Sequence, residues 1–461
     1  MRFVLKGLVC AAAGALLVPQ LATAAEADVQ AQLKQMQERM GQLEDRLQAT
    51  TDQLEATQKK ANEQQQLIEK SGLANTSGAS GLAAFLETLE VAGHVSTSYN
   101  YNFNRPDGYT PLVNANGIRP FQGDSNSFAL DQLNFALSRS VSPDQRAGFV
   151  TSIYYGETAR VLNQIVDGCH GSTLVFDTAG CDSGYGNQVH VSNAYVQYLI
   201  PGAEVKAQAG IWQTLLGAEV IDDNANFNIS RSLLFNALPF EHVGILLSKK
   251  YESGIDWAAG VVNGFDQSNG ADVNKSKSYI GRIGYTQEKW ALGVNGYWGT
   301  EQQAVENQHT SIVDAVLNLT PTSDLKAYVE STFIWSQFGS APNDFYYGFA
   351  AAARYALTER LGISLRGEWT KDRESEYFNP LLPDGTGAVA AGDGTKIWEA
   401  TTTLDYALTD HLMARAEFRY DKANVTSSSF NGVFVSQGKP GAARDLQNNQ
   451  ETIAGQLIYT F

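Results

Sequence analysis

The sequence predicts a transmembrane antiparallel β-barrel of about 16 strands, preceded by a signal peptide and an N-terminal α-helical coiled coil. Three observations predict it. Short segments of alternating apolar and polar residues recur from about residue 89 onward. No apolar run after residue 25 approaches the roughly 20 residues that a spanning helix needs. The last segment places Ile453, Leu457, Tyr459 and Phe461 on one face, so the sequence closes on an aromatic residue.

The elements follow in chain order. Arg2 and Lys6 flank an apolar run from Leu8 to Val18, and Ala22-Thr23-Ala24 supplies a small-residue cleavage pattern, so residues 1–24 read as a secretory signal. Pro19 and Gln20 end the run too early for a membrane helix, and Cys10 leaves with the signal. From Val29 the apolar residues step by fours and threes: Leu33, Met36, Met40, Leu43 and Leu47, then Leu54, Ala61 and Ile68. That seam predicts a coiled coil over 25–70, although Thr50, Thr57 and Gln64 weaken its later core positions. A lone helix with such a stripe is marginal in water, so the seam implies self-association. Residues 71–88 form a linker that opens with Gly, Ser, Ala, Asn and Thr.

The barrel then begins. In the segment from Val91 to Phe103, Val91, Val95, Tyr99, Tyr101 and Phe103 alternate with His94, Ser96, Ser98, Asn100 and Asn102, one row for lipid and one for water. The same period recurs at 127–139, 146–157, 188–200, 203–213, 241–251, 254–264, 278–287, 289–299, 310–320, 324–337, 345–357, 360–371, 395–408, 410–422 and 449–461. Tight turns such as Pro201-Gly202, Gln287-Glu288 and Thr409-Asp410 alternate with long polar loops. Short turns belong in the periplasm and long loops outside, so the first strand starts and the last ends in the periplasm, with the coiled coil beside them. A soluble β-sandwich would have to expose rows such as Phe345, Tyr347, Phe349 and Tyr355 to water.

Charge and cysteine usage bound the partners. The net charge of −16 becomes −18 once Arg2 and Lys6 are cleaved away, which argues against nucleic acid. Two of the three cysteines, Cys169 and Cys181, remain in a Gly-rich loop of an oxidising compartment and read as a disulfide. The six histidines are scattered without metal spacing, and no linear signal marks a catalytic Ser-His-Asp cluster, so no metal, cofactor or enzymatic activity is expected.

Several segments carry a resemblance. Gly93–Pro106, Ala209–Glu219, Asn228–Phe235 and Val261–Phe265 resemble the putative beta-barrel porin-2, OmpL-like family, and the likeness runs from about residue 89 to Phe461. The resemblance implies an outer-membrane porin and no catalytic residues. The expected activity is passive diffusion of small hydrophilic solutes. The alternatives are a channel specific for an oligosaccharide, phosphate or siderophore, and a structural tether from the outer membrane to the cell wall. Expected partners are outer-membrane lipid, two further copies in a homotrimer, the barrel-assembly machinery that reads the terminal aromatic strand, and the cell wall through the coiled coil.

Strand parity sorts the charges. Lys206, Arg282, Lys326, Arg354, Arg366, Arg415 and Arg419 point inward, interleaved with Glu204, Asp256, Asp314, Glu330, Glu368, Glu399, Asp405, Glu417 and Asp421. A hydrated wall of compensating charges explains much of this, because a basic residue on the lipid face costs about 2–4 kcal/mol near the midplane. The third long loop, 214–240, invites a sharper reading. It carries Glu219, Asp222, Asp223 and Arg231 among Leu215, Leu216, Leu233, Leu234 and Phe235, more apolar residues than a solvated loop can use. By analogy with general porins the loop folds into the lumen as a constriction. Its acids Glu219, Asp222 and Asp223 then face some of Arg354, Arg366, Arg415 and Arg419, and the transverse field orients dipolar solutes.

Overall fold

The computed structural model describes residues 59, 88–106, 119–122, 125–166, 188–266, 276–300, 309–337, 343–373, 394–425, 434–436 and 445–461. Apart from Lys59 and Thr88, the signal peptide, coiled coil and linker lie outside these residues, as does the Cys169–Cys181 pair. The unit Leu89–Phe461 is a closed barrel.

Its strands are β1 (Glu90–Asn102), β2 (Ser127–Arg139), β3 (Ala147–Tyr155), β4 (Val189–Ile200), β5 (Val205–Gln213), β6 (Glu241–Lys250), β7 (Ile255–Val262) and β8 (Ser278–Thr286). The second half comprises β9 (Trp290–Thr300), β10 (His309–Leu319), β11 (Leu325–Ser336), β12 (Asp344–Ala356), β13 (Leu361–Asp372), β14 (Thr395–Ala407) and β15 (Leu412–Val425). After β15 comes a separate two-stranded ribbon, β16 (Phe434–Ser436) with β17 (Asp445–Gln447), and then β18 (Asn449–Thr460), which closes the barrel on β1. Neighbours are antiparallel throughout, so sixteen barrel strands occur where sixteen segments are predicted. The largest boundary difference is at the end of β15, where Val425 replaces the expected residue 422.

Closure leaves no free sheet edge, as a barrel in lipid requires. At the seam Gly93 N–H donates to Phe461 O at 3.1 Å and Phe461 N–H returns to Gly93 O at 3.0 Å. The start of β1, the end of β18 and all the short turns therefore share one end. The outward face is apolar, with Phe128, Ile283, Val196 and Ile245 among its most exposed side chains. Near the long-loop end a ring cluster runs from Trp335 through Phe345 to Tyr347, with centroids 5.2 and 5.0 Å apart, and on to Trp369 and Trp398. This is the aromatic girdle of an interfacial position.

Two bulges adjust the alternation. The pairing of β1 with β2 shifts after Ser96, leaving Asp131 as the extra residue, and that of β3 with β4 shifts after Ser152, leaving Ser192. Each adds a polar residue without rotating the lipid-facing row out of register.

The inner wall departs from a purely polar surface. Leu246, Ile280, Tyr297, Ile312, Tyr328, Ile334, Tyr346 and Ile397 all point inward and are buried. Their partners come from the third loop, whose Leu216, Leu233, Leu234, Ala237 and Leu238 complete one apolar cluster with them. Burying each such side chain is worth up to about 1.5–3 kcal/mol, so the loop has a strong reason to leave water. A short helix, α1 (Glu157–Val166), forms in the second long loop and turns Ala159 and Leu162 inward, where they join Tyr154, Ile221, Phe235 and Phe240. Phe121, from a 3-10 turn in the first loop, packs on this second cluster 5.6 Å from Phe235 and 5.4 Å from Phe240. Three long loops thus meet inside the barrel.

Candidate functional site: the infolded third loop and the wall that holds it

The third loop leaves β5 at Thr214, whose N–H donates to Phe240 O at 2.9 Å, and returns at β6. Between these points lie a 3-10 turn at Asp223–Ala225 and a second helix, α2 (Leu233–Ala237), capped by Ser232, which accepts from Phe235 N–H. A loop this irregular has many backbone groups without partners in its own strand ladder, and burial makes each of them costly unless paired. The wall supplies the partners.

Four wall carboxylates receive loop amides. Asp314 accepts from Gly217 N–H at 2.9 Å, and Glu330 from Ala218 N–H at 3.3 Å. Glu368 accepts from Leu233 and Leu234 N–H at 2.8 and 2.7 Å, and Glu417 from Ile229 and Ser230 N–H at 2.6 and 3.0 Å. Wall arginines serve the loop carbonyls in turn. Arg366 donates to Ser230 O at 2.7 Å, Arg419 to Arg231 O at 2.6 Å and Arg415 to Asp223 O at 3.0 Å. Charge-assisted bonds of this kind are roughly twice as strong as neutral ones. The loop is fastened rather than laid against the wall.

The predicted residues have distinct places. Glu219 meets Arg366 at 2.6 Å, both buried, and also accepts from Ser232 N–H and from the Tyr328 hydroxyl. Arg366 shares its charge with Glu399 at 3.2 Å. Asp223 pairs with Arg231 of its own loop at 2.8 Å and accepts from Ser96 and Gln456 of the wall. Asp222 accepts from the Tyr154 hydroxyl at 2.7 Å. Arg419 pairs with Asp421 at 2.7 Å. Arg354 stands apart, near the short-turn end of β12, and pairs with Asp405. The loop acids and wall arginines therefore meet directly at one pair, Glu219 with Arg366.

Other contributors lacked an individual signal in the sequence. Glu368, Glu417, Asp314 and Glu330 are inward by parity, but parity does not reveal that a loop amide will sit opposite. Arg119, from the first loop, reaches Asp421 at 3.4 Å and Thr452 at 3.2 Å. Its burial, reinforced by Arg419 and opposed by Asp421, pulls its pKa down to about 9, so it stays charged at neutral pH.

The loop touches β10, β11, β13, β14, β15, β18, β1, β2 and β3 through these polar bonds. Its apolar side chains also share a cluster with Leu246 of β6, Ile280 of β8 and Tyr297 of β9, and free space remains toward the short-turn end. A cavity of about 560 Å³ opens against the inner faces of β4 to β8, lined among others by Tyr195, Lys206, Trp212, Ser248, Asp256 and Arg282. Among the described residues no group of three or more His, Cys, Asp or Glu is arranged to hold a metal ion.

A closed sixteen-strand barrel with an apolar outer face, an aromatic girdle and a charged inner wall narrowed by a loop is the architecture of an outer-membrane porin. The family comparison agrees and is more specific. The profile of the family "Putative beta-barrel porin-2, OmpL-like" matches residues 88–461, and the chain belongs to that family. No curated protein matches the chain. Among solved structures, OprB of Pseudomonas putida is similar at 10% identity and a TM-score of 0.51, over 84% of this chain and 97% of that one. OmpT, an outer membrane protein of Vibrio cholerae in its trimer form, is similar at 11% identity and a TM-score of 0.50, over 81% and 99%. Identities this low speak for the fold.

Proposed function

We propose that this porin is a passive diffusion channel for small hydrophilic solutes, working as a homotrimer, with the third loop as its constriction and no enzymatic activity. The observation that carries the reading is the polar fastening of that loop: carboxylates and arginines hold it across the lumen, and a cavity remains along β4 to β8. In this reading Glu219, Asp222, Asp223 and Arg231 of the loop, with Arg366, Arg415 and Arg419 of the wall, keep the constriction rigid. Arg354 lies apart from the loop at the short-turn end of β12, held by Asp405.

The short-turn end faces the periplasm, as short turns do in barrels of this class. Residues 1–24 are the signal, 25–70 a periplasmic coiled coil that supports the trimer and reaches toward the cell wall, and 71–88 the linker. The Cys169–Cys181 disulfide closes a small outer loop. Assembly into outer-membrane lipid uses the terminal strand that ends on Phe461.

Reconstitution of the pure, folded protein into planar bilayers tests the channel: discrete conductance steps are expected, and their absence removes the reading. Chemical crosslinking in detergent tests the trimer, with a three-subunit band expected and a monomer alone contradicting it.

A further inference from the structure

The cavity along β4 to β8 is built like a binding site. Its floor is a transverse row across four strands: Lys206 pairs in register with Ser248, Ser248 with Ala258, and Ala258 with Arg282. With strands about 4.8 Å apart the row spans about 14 Å. Two small residues at its centre leave the hollow, and a cation stands at each end.

The cations differ in their commitments. Arg282 donates to Asp256 at 2.9 Å, and Arg146 at the rim holds Glu204 at 2.8 Å. Lys206 and Lys250 have neither an ion pair nor a hydrogen bond among the described residues. Their positions are diagonal neighbours on β5 and β6, so their Cα atoms lie about 7–8 Å apart. That spacing suits two ammonium groups closing on one oxyanion. The arginines beside the third loop have spent their charge on its carbonyls and on wall acids, so the free positive charge of this region sits here.

Two aromatic side chains lie deeper in the same cavity. Trp212 lines it from further along β5, about 20 Å from Lys206, with its indole N–H sealed from the open space. Tyr195 lines the same cavity and lies across from Gly210, where φ is +137° and an added Cβ would run into Ala194 O and Tyr195.

We infer that this cavity binds a small organic anion, its carboxylate or phosphate between Lys206 and Lys250 and its body over the hollow at Ser248 and Ala258. The channel therefore favours anions although the chain is acidic, because the charge that bounds the passage outweighs the total. The inference rests on the passage proposed above and gives it a solute class.

The test is calorimetric titration of the full-length protein, folded in detergent, with 4-carbamoylbenzoate, 4-carbamoylphenyl phosphate and neutral terephthalamide. Both anions bind, the tighter one identifying the preferred head group, and terephthalamide does not. Lys206→Gln combined with Lys250→Gln weakens binding about ten-fold or more, and each single change gives part of the loss. Lys326→Gln, on the opposite wall, changes nothing. Heat-dependent electrophoretic mobility confirms that each variant is folded. Equal binding of terephthalamide, or full affinity in the folded double variant, overturns the site. Binding without conductance would retire the channel and keep the site; conductance without binding would do the reverse.

Discussion

Arg366→Met is the most informative single change to the constriction. The guanidinium is fully buried and donates to Glu219 at 2.6 Å, to Ser230 O at 2.7 Å and to Glu399 at 3.2 Å. Methionine fills most of the space but leaves the buried Glu219 carboxylate without its cation, Glu399 with Arg419 alone at 3.8 Å, and one loop carbonyl without a donor. Breaking a buried pair in this way costs about 3–5 kcal/mol. The cost falls on docking of the loop rather than on the barrel, whose strand ladder does not use this side chain. Since 1.4 kcal/mol is a factor of ten, the undocked population rises by roughly two to three and a half powers of ten. Hydrogen–deuterium exchange reads this at the amides of Ser232 and Gly217, which the loop protects through Glu219 and Asp314. Adding Glu219→Gln removes the stranded charge and restores part of the protection. Unchanged exchange in Arg366→Met, with the barrel folded, would refute the idea that buried charge fastens the loop.

Three further outcomes follow from other parts of the molecule. Gly348→Val places a Cβ 2.6 Å from Leu234 Cδ2 and 2.9 Å from Thr370 Cγ2; it lowers loop protection by about 1–3 kcal/mol while denaturant unfolding of the barrel barely moves. Ile283→Arg, at a position 71% exposed on the lipid face of β8, destabilises the barrel in liposomes by about 2–4 kcal/mol in a urea titration. Deleting residues 26–70 leaves single-channel conductance intact and reduces the trimer fraction on crosslinking; loss of conductance would show that the coiled coil is part of the pore.

The barrel was legible because lipid imposes a period of two on every strand, and even weakly alternating segments such as β7 fall into register once their neighbours are placed. The apolar residues of 214–240 were legible as a misfit, since leucines have no reason to sit in a hydrated loop. What the sequence concealed depends on partners distant in the chain. Ile280, Tyr297 and Tyr346 interrupt the inward polar row, and their reason appears once Leu216 and Leu233 lie against them. The pairing of Glu368 with the amides of Leu233 and Leu234 joins residues 134 or more positions apart, beyond any local pattern. The helix α1 shares its loop with Cys169 and Cys181, and its inward stripe is too short to outweigh the loop composition around it. Strand parity also misses the bulged residues Asp131 and Ser192, because one inserted residue is indistinguishable from an ordinary irregularity until the opposite strand is paired. Arg354 and Arg366 look equivalent along the chain, yet one lies at the rim and the other beneath the loop.

The central claim is that the third loop narrows a conducting barrel. Single-channel recording of the full-length protein beside a variant with residues 217–237 replaced by a short Gly-Ser bridge tests it most directly. The account predicts discrete steps from both proteins, larger in the loop-shortened one. Silent bilayers from both folded proteins, or steps of equal size, would contradict it.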